Sequence, residues 1–230
     1  MLSDKQLDAL ARSDKFVNPY NPDNCEGATI DLTLDNLIKE YVSDEPIIMG
    51  KEVTEDHYKS IDLTKDDYML QPKQSVLVQT SEFIKVPEDK SARIYERYSV
   101  KSLGLIISPA HYMNPGYRGK ISLLAFNSTN TPIKLVPGIK CCQIGLFELG
   151  TKPWKPYEKQ DAKYMDSENV SISKLHLDSE IQDFLRIKGV SEVSDRVAGD
   201  LGNYLMGQIK STANDLADLG IKQWEERHSK

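Results

Sequence analysis

The side chains best suited to chemistry gather in one stretch, residues 110–127, AHYMNPGYRGKISLLAFN. His111 can exchange a proton near neutral pH, Asn114 can hold a water through its amide, and Tyr112 and Tyr117 offer flat faces on which a base or sugar can stack. Between them Pro115-Gly116 is a turn dipeptide, because proline presets φ and glycine accepts the positive φ that other residues resist. After the turn, Ile121, Leu123 and Ala125 alternate with Ser122, Leu124 and Phe126, so both faces are mostly apolar and a buried strand is expected over 120–127. Polar groups on a loop backed by a rigid strand make a place for a ligand. The plainer alternative is a hairpin corner in an all-β core.

Three other groups of residues invite the same question. Glu96 adjoins Arg97 and is an acid–base candidate whose competing role is an ion pair with a basic neighbour. Asp31 is the single charge in a strand pattern over 28–34, where Ile30, Leu32 and Leu34 alternate with Asp31 and Thr33. On that pattern alone it faces water or caps a turn. The three cysteines include the adjacent pair Cys141 and Cys142 and no C-x-x-C, which excludes a disulfide framework and the usual zinc spacings. Cys142 or Cys141 reads as a small core residue of a strand.

The elements that must position these residues follow from periodicity. Ser3 with Gln6 is a capping-box pattern, and Leu7, Leu10 and Ala11 extend it into a short N-terminal helix. Residues 35–68 are charged and irregular, with one short strand expected at 46–49. From residue 68 onward strands are expected within YMLQP, over 75–79, 82–86 and 92–95, and after the central stretch within IKLV and IKCCQIGLFEL. Short strands at intervals of about ten residues predict a β-sandwich or barrel. Residues 151–174 lack strand periodicity and form an arm or tail. From Ser179 the spacing turns helical, first through Ile181, Phe184 and Leu185, then from Val193 to Leu219. Gly199, Gly202 and Gly207 weaken that second helix by about 1 kcal/mol each relative to alanine, so it needs a partner surface.

The totals set bounds. With 230 residues, 39% of them hydrophobic, the chain can bury a sizeable core as one domain with an appendage or two small ones. A net charge of −6 argues against nucleic acid as a partner, although phosphate can still bind where a few cations converge. No apolar run approaches the ~20 residues of a membrane span. The charged opening MLSDKQLDALARSDK lacks the apolar core of a secretory leader, so a soluble cytoplasmic protein is expected.

Seven collinear stretches resemble the deoxycytidine triphosphate (dCTP) deaminases of the trimeric dUTPase superfamily: MLSDKQLDAL, EGATIDLTLDN, YMLQPKQSVLVQTSEFIKVP, RYSVKSLGL, NPGYRGKI, PGIKCCQIGLFEL and PYEKQDAKY. The resemblance covers residues 1–174 and leaves 175–230 as a helical C-terminal extension. It implies a mainly β fold, a distorted dUTPase-like β-barrel with a short N-terminal helix, assembled as a homotrimer with sites between subunits. The implied ligand is a deoxypyrimidine nucleoside triphosphate, with Mg²⁺ carried on its phosphates and no zinc. Carried over residue by residue, Arg97 and Ser99 match the family's arginine and second serine. Gln143 matches a strand glutamine, Lys163 and Tyr164 a phosphate-binding tail, and Lys174 stands where arginine is frequent. Asp31 matches the aspartate of the first motif, with an implied role at the subunit interface or, indirectly, near metal.

The resemblance also has gaps. Leu124 occupies the position of the glutamate that moves protons in the deaminases, and Asn114 that of an aspartate that orients water in the related diphosphatases. Leucine carries no proton and asparagine is a poor proton acceptor, so general acid–base catalysis is expected to fall by roughly 10²–10⁴-fold. Tyr98 replaces the first serine and Ser102 a later arginine. His111 is matched by a family histidine. The reading is a nucleotide-binding protein with impaired or altered chemistry, whose C-terminal helices serve a protein partner. One alternative is an active dCTP deaminase or dUTP diphosphatase with a rearranged water-activating group, for which Asn114, His111 and Glu96 are the candidates. The other is a structural trimer with a vestigial pocket.

Overall fold

The computed structural model describes residues 1–108 and 112–188, together with scattered helical positions from 206 to 221. His111 and most of the second helical pattern lie outside the described residues. The Cα atoms group into two compact units, Met1–Pro46 with Val53–Ile172, and Ile47–Glu52 with Ser173–Lys230.

The first unit opens with helix α1 (Asp4–Asp14), whose Ser3 and Gln6 form the expected reciprocal capping box. Its strands are β1 (Val17–Asn18), β2 (Cys25–Glu26), β3 (Thr29–Thr33), β4 (Leu37–Tyr41), β5 (Tyr58–Asp62), β6 (Met69–Leu70), β7 (Ser75–Lys85) and β8 (Lys90–Glu96). A single helical turn, α2 (Tyr98–Lys101), precedes β9 (Leu105–Ser108), β10 (Tyr112–Met113), β11 (Arg118–Asn127), β12 (Ile133–Lys134) and β13 (Lys140–Glu148). One antiparallel sheet runs β5-β4-β7-β11-β9 with β1 also on β7, and a second runs β10-β8-β13-β3-β2. A third, two-stranded ladder joins β12 to β6. The fold is mainly β as expected, but the described strands make separate sheets and not a closed barrel.

The sheets bury inward-facing residues such as Ile30, Leu32, Val78, Ile84, Ile94, Ile144 and Leu146, and α1 adds Leu7 and Ala11. Cys141 and Cys142 are buried with them, as strand core residues. Each fully buried aliphatic side chain contributes about 1.5–3 kcal/mol relative to exposure.

Three local expectations are corrected. The runs 75–79 and 82–86 are one strand, because Thr80 and Ser81 do not turn the chain. Thr80 Oγ1 donates to the Glu82 carbonyl and accepts from Ile121 N–H, and Ser81 Oγ donates to the Leu34 carbonyl. The supposedly irregular region after residue 35 contains the β4–β5 hairpin, in which Lys39 is buried against the Glu55 carboxylate at 2.7 Å. An ion pair there let a charge sit inside a strand. No strand forms at 46–49.

The second unit has helix α3 (Ser179–Ile187), as its spacing predicts. Gln182 Nε2 donates to the Gly50 carbonyl at 3.0 Å, and His176 Nε2 lies 3.6 Å from Glu52 Oε1. Among the described residues no helix is long and apolar enough to cross a membrane.

Candidate functional site

Asp31 sits in β3 directly opposite Gln143 of β13, so their side chains emerge side by side from the same sheet. Gln143 Nε2 donates to Asp31 Oδ1 at 2.9 Å, Lys140 Nζ lies 3.1 Å from Oδ2, and Arg97 Nη1 pairs with that same oxygen. Arg97 reaches it from the junction where β8 ends and α2 begins. Burial works against ionisation of Asp31, but the donors from Gln143, Arg97 and Lys140 outweigh it and hold the carboxyl below its ordinary range. Two cations share one carboxylate, which leaves a net positive charge suited to a phosphate oxygen. Because both Asp31 oxygens are already engaged, the residue does not fit a direct metal ligand. Among the described residues no cluster of three or more histidine, cysteine, aspartate or glutamate side chains could hold a metal ion.

The Pro115-Gly116 turn carries the chain from β10 in one sheet to β11 in the other. Gly116 takes φ +81°, which few other residues adopt cheaply. Asn114 supplies the turn's acceptor, with Tyr117 N–H donating to its carbonyl at 3.1 Å. Tyr117 Oη donates to the Lys120 carbonyl, and its ring packs partly buried against Tyr157 at 5.7 Å between centroids. Burial raises its phenol pKa well above the usual value. Tyr112, by contrast, is exposed. Glu96 is held by Lys101 Nζ at 2.6 Å, and Ser99 is exposed in α2, its carbonyl accepting from Ser102 Oγ.

On β11 the odd-numbered residues are buried and the even-numbered ones face the more open side. Leu124 lies on that side, 41% exposed, between Leu77 of β7 and Ser108 of β9. The expectation that both faces of this strand are buried fails there. Toward the strand's start, on the same side, Lys120 Nζ and Gln79 Nε2 each reach Asp35 Oδ2 at 2.6 Å. Burial opposes the Asp35 charge, but Lys120, the Asn36 amide and Gln79 lower its pKa overall. Glu82 instead points inward. Both its oxygens accept from Thr33, yet burial still raises its pKa.

Residues 156–172 form an ordered arm along β11. Tyr157 N–H donates to the Pro115 carbonyl at 2.8 Å, Asp166 N–H to the Arg118 carbonyl at 2.8 Å, and Lys120 N–H to the Ser167 carbonyl at 2.7 Å. Ser171 N–H donates to Ser122 Oγ at 2.8 Å. Lys163 and Tyr164 lie half-buried on this arm, with Tyr164 N–H donating to Tyr157 Oη at 3.4 Å. Lys174 belongs to the second unit, where it precedes the 3-10 turn Leu175–Leu177.

The structure therefore joins Arg97, Gln143 and Asp31 on one sheet, and places Leu124 on the other. Lys163 and Tyr164 ride on the arm. Sequence reasoning missed Lys140, Asp35, Gln79, Lys120, Glu82 and the pairing of Arg118 with Asp166. The one signal for the Lys140 contact is the lone carboxylate in the β3 pattern, since a charge in a half-buried strand needs a partner. The others come together across 40 or more positions of chain.

A family model described as dCTP deaminase-like matches residues 1–149. The chain is similar to the dUMP-forming dCTP deaminase of Aquifex aeolicus (strain VF5), 31% identical over 185 residues that span 79% of this chain and 98% of that protein. It is 32% identical to the dUMP-forming dCTP deaminase of Methanosphaera stadtmanae, over 79% of this chain and 96% of the relative. Among solved structures, the 2'-deoxycytidine 5'-triphosphate deaminase of Agrobacterium tumefaciens superposes with a TM-score of 0.51 at 20% identity, covering 63% of this chain and 46% of that one.

Proposed function

Since the chain belongs to the dCTP deaminase-like family, we propose that it binds a deoxypyrimidine nucleoside triphosphate and that its water-activating chemistry is impaired or altered. The observation that carries this reading is Leu124, which stands exposed on the open side of β11 where the family resemblance places a proton-shuttling glutamate. A hydrocarbon there can neither take a proton from water nor return one to a leaving amine. Asn114, committed to the turn through its backbone, offers an amide in place of a second carboxylate.

The Arg97–Lys140–Asp31 cluster supplies the positive end of the site, with Ser99 and Gln143 as neighbouring polar groups. Lys163 and Tyr164 meet the phosphates from the arm. Mg²⁺ arrives on the triphosphate, and no step of the reading passes through it. Assembly as a homotrimer with nucleotide between subunits agrees with the placement of cationic cluster and β11 face on separate sheets of one protomer. The C-terminal helices serve a protein partner, and a cytoplasmic location suits a protein of nucleotide metabolism.

A second reading keeps the protein active through another acid–base pair. It draws on Asp35 and Lys120, which lie on the same side of β11 as Leu124. One experiment decides between them. Purified protein is incubated with dCTP or dUTP and Mg²⁺ while ammonia and pyrophosphate are followed, alongside Leu124→Glu. The expected result is a raised melting temperature with nucleotide, slow wild-type turnover, and ammonia release from dCTP about 10²–10⁴-fold faster in the variant. Fast wild-type turnover that survives Glu96→Gln and His111→Ala but is lost in Lys120→Met supports the second reading. No thermal shift with any deoxynucleotide supports a purely structural trimer.

A further inference from the structure

The arm leaves the Pro115-Gly116 turn at Tyr157 and returns to β11 at Asp166, so eight intervening residues, 158–165, form a loop pinched at its base. The two anchor points are the Pro115 carbonyl, which accepts from Tyr157 N–H, and the Arg118 carbonyl, which accepts from Asp166 N–H. Arg118 follows Pro115 by only three positions, across the turn that leads into β11. One side chain spans the base: Arg118 Nε and Nη2 each donate at 2.8 Å to the two oxygens of Asp166, while Nη1 lies 3.8 Å from Glu158 Oε2. The guanidinium thus grips the first residue of the loop and the residue that closes it. Lys163 and Tyr164 sit just before the closing point.

We propose that Arg118 is a positioning residue, a clasp that holds loop 158–166 in one conformation so that Lys163 and Tyr164 are presented to a triphosphate without being ordered at the moment of binding. This rests on the nucleotide-binding reading above. A single exposed ion pair contributes little, but a planar fork on both oxygens of one carboxylate, reinforced by a second carboxylate and by backbone hydrogen bonds, fixes geometry as well as charge. Lysine in its place keeps the charge and loses the fork. The close approach that the clasp requires is built in next door: a Cβ on Gly119 would lie 3.0 Å from Ser167 N.

The test uses the full-length protein and calorimetric titration with Mg²⁺-dCTP and, separately, with deoxycytidine, which has no phosphates. Arg118→Ala is expected to weaken dCTP binding by ~10-fold or more through lost preorganisation, while leaving deoxycytidine binding unchanged. Arg118→Lys is expected to fall between, and the reversed pair Arg118→Asp with Asp166→Arg to recover most of the affinity. Limited trypsin digestion is expected to cut after Lys159 and Lys163 faster in Arg118→Ala than in wild type. Unchanged dCTP affinity in Arg118→Ala, equal losses for dCTP and deoxycytidine, or no recovery in the reversed pair would each overturn the proposal. If wild type binds no nucleotide at all, the nucleotide-binding reading fails. The cleavage rates then still decide whether Arg118 closes the loop.

Discussion

Replacing Asp31 with asparagine removes the one negative charge that Arg97 and Lys140 share. At the 3.1 Å separation of Lys140 Nζ from the Asp31 carboxylate, an effective dielectric of about 20 gives an attraction of ~5 kcal/mol before desolvation. Side-chain exposures of 14% for Asp31, 25% for Arg97 and 39% for Lys140 leave solvent to screen part of it, and desolvation cancels more. A net loss of about 2 kcal/mol remains. For a unit of this size that lowers the melting temperature by ~4–8 °C. The informative assay is a double-mutant cycle by denaturant unfolding with Asp31→Asn, Arg97→Met and both. If the pair is energetically real, the double variant is less destabilised than the sum of the singles by ~1–2 kcal/mol. The sign with pH follows from the lowered pKa of Asp31. The stabilisation is complete above the unfolded value of 3.8 and disappears as pH falls through the lower folded value, so the deficit of Asp31→Asn shrinks in acid. Additive single effects, or a deficit that is as large below pH 3 as at neutrality, would refute the reasoning.

Glu82 runs the opposite way. Its pKa is raised above 4.5, so its contribution is complete below that value and is lost as pH rises through the folded pKa. Melting temperatures measured across pH should therefore show wild type losing ground to Glu82→Gln as pH rises above 4.5, and a constant gap would contradict the burial effect. Gly119→Ala places a Cβ against Ser167 at φ +145°, and the backbone strain should cost about 1–3 kcal/mol. Hydrogen exchange should then speed up at the amides of Lys120, Asp166 and Ser171, which hold the arm to β11. Unaltered protection at those three amides would count against an arm seated by close approach at Gly119.

The legible parts of this chain are those in which neighbours in sequence decide the outcome. The capping box at Ser3, the strand at 28–34, the Pro115-Gly116 turn and the long strand after it all follow from short-range patterns, and each is present. Where polar residues are satisfied by distant partners, the pattern misleads. Thr80 and Ser81 separate two short apolar runs, and the charges among residues 35–68, Lys39 included, mask the strand pattern there. In each case the partner, whether Ile121, Leu34 or Glu55, lies on another element.

The site divides along the same line. The family resemblance marked Arg97 and Gln143 for a phosphate cradle, gave Asp31 a separate role at a subunit interface or near metal, and marked Leu124 as an unreactive substitute for an acid; only the folded sheets bring Asp31 to Arg97 and Gln143. Alternation along β11 needs no tertiary information, because the pleat puts every second side chain on one face. That Leu124's face is open, that Lys140 joins Arg97 on Asp31, and that Arg118 ties both ends of loop 158–166 were decided only by folding. Charges attract whichever partner the packed backbone brings within reach, and that distance is a property of the assembled sheets, not of the spacing along the chain.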